Sequence, residues 1–302
     1  MNSNKSSHSE HAVRAMSAEK HLTVARRSAV HGDSAVSDNP KNVVQSLAKG
    51  FRVLEAFTAS EPELTLAEVA RRAEVDNATA FRLLNTLVML GYVDRAPAGR
   101  NFRLSLKVLD LGFNSIARME LRDRVRPVLR SLVGEVNEAA SVAVLDGAEV
   151  VYIERVQAGM VRLGVDVRVG SRIPAYCSAV GLAILAFLPR SDQERILGLG
   201  PRVKLTPRTV TDTKDILVRL ARVRKQGYIA VDQEITSGLR ALAAPVLDVD
   251  GHPIAAVSVV APVLRMPLDA FLKIAVAPVL DAARTISKAM QAGGATALPP
   301  AA

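Results

Sequence analysis

The segment from Leu64 to Leu104 constrains the fold more than any other part of this chain. Thr65 is a good helix N-cap, and Glu68, three positions on, completes a capping box for a short helix ending near Ala73. Glu74-Val75-Asp76 reads as a turn, Asp76 caps a further helix over Asn77–Leu90, and Gly91 stops it. Tyr92–Arg95, then Ala96-Pro97-Ala98-Gly99, then Arg100–Leu104 read as strand, turn and strand. Upstream, Val44, Leu47, Phe51, Leu54 and Phe57 recur at helical spacing. Helix, helix–turn–helix and basic hairpin, in that order, predict a winged helix-turn-helix over residues 41–105.

The third helix has two faces. Ala80, Leu83, Leu84, Leu87 and Val88 cluster on one side at about 100° per residue. The other side shows Ala78, Arg82 and Asn85, flanked by Thr79 and Thr86, a short-chained polar face suited to base edges in a major groove. Net charge supports this only locally. The formal +9 is spread along the chain, but Asn77–Lys107 holds five basic residues against one acidic, Asp94. The candidate DNA contacts are therefore Thr65, Asn77, Ala78, Thr79, Arg82, Asn85 and Thr86, with Arg95, Arg100 and Arg103 on the wing.

Residues 1–40, rich in Ser, Ala, His and Asn, read as a disordered tail, and 292–302 as another. Residues 106–120 read as a linker helix, with Leu106, Leu109, Phe113 and Ile116 on one stripe. Residues 121–291 alternate helices and strands. An amphipathic helix spans Leu121–Val136, and hairpins form around Asp146-Gly147 and Asp250-Gly251. Further helices span Ser178–Leu188 and Asp212–Gln226, and a last one opens at Pro267. The prediction is an α+β domain, an antiparallel sheet with flanking helices, joined to the winged helix by the linker.

Four of the five histidines fall within the first 31 residues, and His252 sits in an Asp-Gly-His-Pro turn. That argues against Ser-His and Cys-His hydrolases and against His-ligated metals. A single cysteine, Cys177, argues against disulfides and multi-cysteine metal sites. No cofactor is expected. The longest apolar run, Ala179–Leu188, is about half of what crosses a bilayer, and no secretory-like stretch opens the chain, so a cytoplasmic protein is expected. The competing class is a cytosolic enzyme acting on small acids, with the N-terminal helices serving assembly. It would need a titratable cluster in a cleft.

Three stretches, in order, resemble the IclR family of bacterial transcriptional regulators over nearly all of Val44–Met290. They are Leu64–Ala70 through Arg82-Leu83-Leu84 to Leu90–Val93; Gly170–Gly181 with Leu185-Ala186; and Gly227-Tyr228 through Asp232-Gln233-Glu234 and Gly238-Leu239-Arg240 to Ala244-Pro245-Val246. The resemblance implies a DNA-binding winged helix, a GAF-like effector domain, and dimers or dimers of dimers. Val231–Glu234 and Pro174–Cys177 look like the branch governing protocatechuate, 4-hydroxybenzoate and β-ketoadipate catabolism. Val231 and Leu247 depart from the acidic or Ser residue and the aromatic or His residue that the family often places there.

An anionic aromatic or dicarboxylic effector needs donors within an apolar cavity. Candidates are Arg168, Arg172, Tyr176, Cys177, Ser178, Asp232, Glu234, Arg240 and Ser258. Each has a plainer role: Ser178 as an N-cap, Cys177 as a small buried hydrophobe, Asp232 and Glu234 as ion-pair partners of Arg240. The expected partners are a near-palindromic duplex DNA, a small anionic effector, further copies of the chain, and RNA polymerase. A membrane is not expected among them.

Overall fold

Thr65 and Glu68 form the expected capping box. The Thr65 backbone N–H donates to Glu68 Oε2 (2.8 Å) and the Glu68 N–H to Thr65 Oγ1 (3.4 Å). In the computed structural model the described residues are 43–58, 60–96, 100–111, 121–158 and 167–292, with backbone alone at 121–123. They fall into two units, one up to residue 111 and one from residue 121. The expected N-terminal tail, all of the C-terminal one but residue 292, most of the linker helix and the tip of the wing lie outside these residues; the linker is helical at 108–111.

The first unit runs α1 (Gln45–Glu55), β1 (Glu63–Thr65), α2 (Leu66–Arg72), α3 (Asn77–Met89), β2 (Val93–Arg95) and β3 (Asn101–Leu104). Asp76 caps α3, its Oδ1 accepting from the Thr79 N–H at 2.8 Å. Gly91, at φ 80°, closes it in the left-handed region that favours glycine. Val53, Leu64, Val69, Leu84, Leu87, Val93 and Phe102 form the core. The hairpin is a three-stranded sheet, ordered β1-β3-β2, because Glu63–Thr65 pairs antiparallel with Asn101–Arg103. β1 is not among the elements expected from the sequence. A three-residue strand is too short to carry a visible alternation.

The second unit contains α4 (Leu121–Val136), β4 (Ala139–Asp146), β5 (Glu149–Val156), β6 (Arg172–Pro174), α5 (Ala179–Leu185), α6 (Arg190–Gly198), α7 (Thr213–Gln226), β7 (Ile229–Asp232), β8 (Leu239–Leu247), β9 (Pro253–Pro262) and α8 (Leu268–Ala292). The sheet is antiparallel in the order β6-β5-β4-β9-β8-β7, so the two expected hairpins meet at its centre through β4 and β9. Cross-strand partners share a face. Ala143, Tyr152, Ala243 and Ala256 pack with α5, which is buried along its whole length, and with Ile216, Leu220 and Val223 of α7. The alternate strand positions, including Leu242, Ala244, Val257 and Val259, are fully buried on the opposite face, which α8 and α4 cover.

Candidate functional site

On the first unit, α3 presents Asn77, Ala78, Arg82 and Thr86 as exposed residues opposite buried Ala80, Leu84 and Leu87. Local bonds have already claimed some of its polar groups. Thr79 Oγ1 donates to Asp76 Oδ2 (2.7 Å) and Thr86 Oγ1 to the carbonyl of Arg82 (2.9 Å). Thr65 Oγ1 donates to Glu68 Oε2 (2.8 Å), so its hydroxyl serves the cap. Asn85 is half-buried and accepts from Arg95 Nη2 through Oδ1 at 2.9 Å. Arg82 and Asn77 keep their side chains toward solvent. Of the wing arginines, Arg100 is exposed just before β3. Arg103 lies in register between Glu63 and Asp94, flanked by two carboxylates. The hydrogen bonds from the Thr79 hydroxyl and backbone N–H hold the Asp76 carboxyl below its ordinary pKa. The Thr65 backbone N–H and hydroxyl do the same for Glu68.

On the second unit, a cavity of about 80 Å³ opens between the sheet and the N-terminal end of α5. That is room for about five waters or one small ring. Its walls are apolar, among them Tyr152, Ile173, Val180, Val231, Leu239 and Val260, and its polar groups are Arg155, Ser178, Glu234, Thr236 and Ser258. Ser258 is 1% exposed, and its Oγ has no hydrogen-bond partner among the described residues. Beside it in register is Ser141, whose Oγ accepts from Arg155 Nη1 at 2.9 Å. Glu234 is bound in a two-point pair to Arg219 of α7 at 2.8 and 2.9 Å, which neutralises it. The guanidinium of Arg155 is the cationic group on the same lining. Burial pushes the Tyr152 phenol up to about 12, so it stays protonated.

Gln233, at a left-handed φ of 64°, turns the chain so that residues 234–236 form one wall. The turn is braced: Thr206 Oγ1 donates to the Gln233 carbonyl (2.7 Å), Thr209 Oγ1 to the Glu234 carbonyl (2.6 Å), and the Gly238 N–H to Gln233 Oε1 (3.0 Å).

Several residues expected here lie elsewhere. Arg172 is on edge strand β6 and pairs with Asp146 (2.5 Å) and Glu149 (2.7 Å). Arg168 belongs to the turn before β6, its N–H donating to Ser171 Oγ (2.9 Å). Tyr176 binds the Val203 carbonyl at a separate cavity of about 70 Å³, and Cys177 is fully buried in the core beside α5. Burial pushes the Cys177 thiol up to about 12, so it is not a ready nucleophile. Ser178 reaches the cavity, but its Oγ accepts from the Gly181 N–H (3.1 Å) as the N-cap of α5.

Arg240 borders the cavity near the start of β8. Ala241 and Ala243 point inward, so the Arg240 side chain leaves from the other face. There it donates to the Met266 carbonyl (2.8 Å) and lies 3.2 Å from Asp232, which also pairs with Arg208. Of the expected set, Ser178, Glu234 and Ser258 come together with side chains at this cavity.

The residue that sequence reasoning missed is Arg155. In a regular strand, Tyr152 and Arg155 would face opposite sides. A β-bulge intervenes: Val142 pairs with Glu154 and Ala143 with Tyr152, leaving Ile153 over. The extra residue reverses the alternation and turns Tyr152 and Arg155 to the same face. Nothing in the local composition signals it.

The geometry of both units has counterparts among known proteins. A family profile described as IclR helix-turn-helix domain matches residues 46–97, and one described as bacterial transcriptional regulator IclR C-terminal matches 113–288. The Pca regulon regulatory protein of Pseudomonas putida is 36% identical over 214 residues, 71% of this chain and 73% of that one. The HTH-type transcriptional regulator KdgR of Escherichia coli is 33% identical, covering 84% and 95%. A crystal structure of an IclR homolog from Microbacterium hydrocarbonoxydans, complexed with 4-hydroxybenzoate, is 29% identical over 82% of this chain and 99% of that one, with a TM-score of 0.71. The chain thus belongs to the IclR family and is a transcriptional regulator, not an enzyme, with an N-terminal helix-turn-helix for DNA and an α+β domain for a small-molecule effector.

Proposed function

We propose that this regulator lays α3 in the major groove of a near-palindromic operator and controls genes for aromatic-acid catabolism. A small aromatic carboxylate in the α+β cavity sets its activity. Dimers or tetramers present two copies of α3, Arg82 reads base edges, and Arg100 holds phosphate. The effector carboxylate sits on Arg155 and the Ser258 hydroxyl, its ring against Val180, Val231 and Val260. Binding one arrangement of the protein better than another, it shifts operator affinity or contact with RNA polymerase in the cytoplasm.

One observation carries the effector part: a buried hydroxyl without a partner among the described residues, two strands across the sheet from a guanidinium, in a cavity with mostly apolar walls. A hydroxyl there is costly unless something accepts its proton, and a carboxylate does so. The pathway is supported by the similarity to the Pca regulon regulatory protein and to the homolog complexed with 4-hydroxybenzoate.

The test has two arms. Purified protein selects sites from sheared genomic DNA of its source at near-physiological salt; a few enriched near-palindromes are expected. Uniform recovery that vanishes with modest salt would refute sequence-specific regulation. Calorimetric titration then compares 4-hydroxybenzoate and protocatechuate with 4-hydroxybenzamide. The acids bind, the neutral amide binds at least about tenfold more weakly, and Arg155→Met removes the difference. Equal binding of acid and amide would refute the anionic assignment.

A further inference from the structure

Arg95 closes β2, at the base of the wing, yet its guanidinium is turned back toward α3. It lies 5.1 Å from the centroid of the Phe102 ring, on the paired strand, and Nη2 donates to Asn85 Oδ1 at 2.9 Å. Two contacts fix it: the face of a buried aromatic ring and the amide of the outward face of α3.

A guanidinium carries donors only, so the oxygen of the Asn85 amide must be the atom facing it. That orientation has a chemical consequence. An asparagine recognises adenine by using both ends of its amide, the oxygen accepting from N6 and the nitrogen donating to N7. With its oxygen held by Arg95, Asn85 turns its NH2 group outward and offers donors alone. In the major groove the purine and pyrimidine edges that present only acceptors for hydrogen bonding are guanine, with N7 and O6, and thymine, with O4. The neighbouring hydroxyls do not change this, because Thr79 and Thr86 spend their protons on Asp76 and on the Arg82 carbonyl.

We propose that Arg95 is a positioning residue which sets the base that Asn85 reads, favouring guanine or thymine over adenine, whose N6 amino group opposes a second donor, at one position of each half-site. This assigns Arg95 to specificity rather than to phosphate, and it rests on α3 occupying the major groove.

The test is selection and sequencing of binding sites with the full chain as wild type, Arg95→Met, Arg95→Lys and Asn85→Ala. Wild type shows one position per half-site at which adenine is depleted by about tenfold or more. Arg95→Met, which keeps an apolar stem on Phe102 but no donor, admits adenine there and leaves the other positions unchanged. Arg95→Lys, which keeps a donor, retains the depletion. Asn85→Ala flattens that position, and adding Arg95→Met to it changes nothing further there. The proposal is overturned if Arg95→Met weakens all sequences alike with base preferences intact, the signature of a phosphate contact. It is also overturned if Asn85→Ala flattens no position, a result that stands even if Arg95→Met fails to fold. Wild-type protein that enriches no site would bring down the major-groove reading itself, and this inference with it.

Discussion

Two glycines inside helices should respond to alanine with opposite signs. At Gly181, in α5, a Cβ would lie 2.3 Å from the carbonyl oxygen and 2.4 Å from the Cα of Ala175. Ordinary contact begins at 3.4 Å, so the two backbones must part by about 1 Å. No flexible side chain can give way, because the obstructing atoms are backbone. Alanine's better helix propensity contributes about 1 kcal/mol in favour, while overpacking costs about 1–3 kcal/mol where side chains can adjust, and more here. We expect Gly181→Ala to destabilise the α+β unit by about 2–4 kcal/mol, a fall of roughly 4–16 °C in its melting transition. Gly134, in α4, has nothing within 4 Å of the corresponding position, and Gly134→Ala should stabilise by about 0.5–1 kcal/mol.

Scanning calorimetry of the full chain measures both. Gly181→Ala should also weaken effector binding, because the Ala175 segment it displaces joins Ile173 to Ser178 on the cavity wall. A Gly181→Ala protein that melts within 1 °C of wild type would refute the close-approach argument. Equal shifts for both variants would do the same.

Three further outcomes follow from the two sites. Ser258→Ala removes a buried hydroxyl without a partner among the described residues. It should leave the melting temperature unchanged or raised by up to about 1 kcal/mol of stability while cutting aromatic-acid affinity several-fold; loss of stability and binding together would mark the hydroxyl as structural. The Asp76 carboxyl titrates below its ordinary value because of its bonds to Thr79, so its contribution is full above the ordinary carboxylate pKa of about 4 and is lost as pH falls through the lowered value. Asp76→Asn keeps a cap but does not titrate; its melting curve between pH 3 and 7 should fall less on the acid side, and curves parallel to wild type would exclude this role. Arg100→Ala should weaken binding to all DNA sequences and flatten its salt dependence by about one charge, whereas Arg103→Ala, between Glu63 and Asp94, should do so much less; equal slopes would show that the flanking carboxylates do not matter.

The helix-turn-helix could be read from the chain because its signals are local. A cap and its partner, Thr65 with Glu68 or Asp76 with Thr79, lie three residues apart, and Gly91 marks its turn by itself. The Asp-Gly hairpins of β4–β5 and β8–β9 are equally local, which is why the α+β class was visible. The lining of the cavity was not. Arg219 reaches Glu234 across 15 positions and Thr206 reaches the Gln233 carbonyl across 27, and no spacing rule connects them.

The face a strand residue takes is a matter of parity, and one extra residue reverses it. Ile153 does so in β5, bringing Arg155 into the cavity, while unbroken alternation in β8 turns Arg240 out of it. The helix-turn-helix is legible in the residues alone, because its caps and turns close within a helical turn. Which arginine lines the cavity follows instead from how strands distant along the chain register against one another.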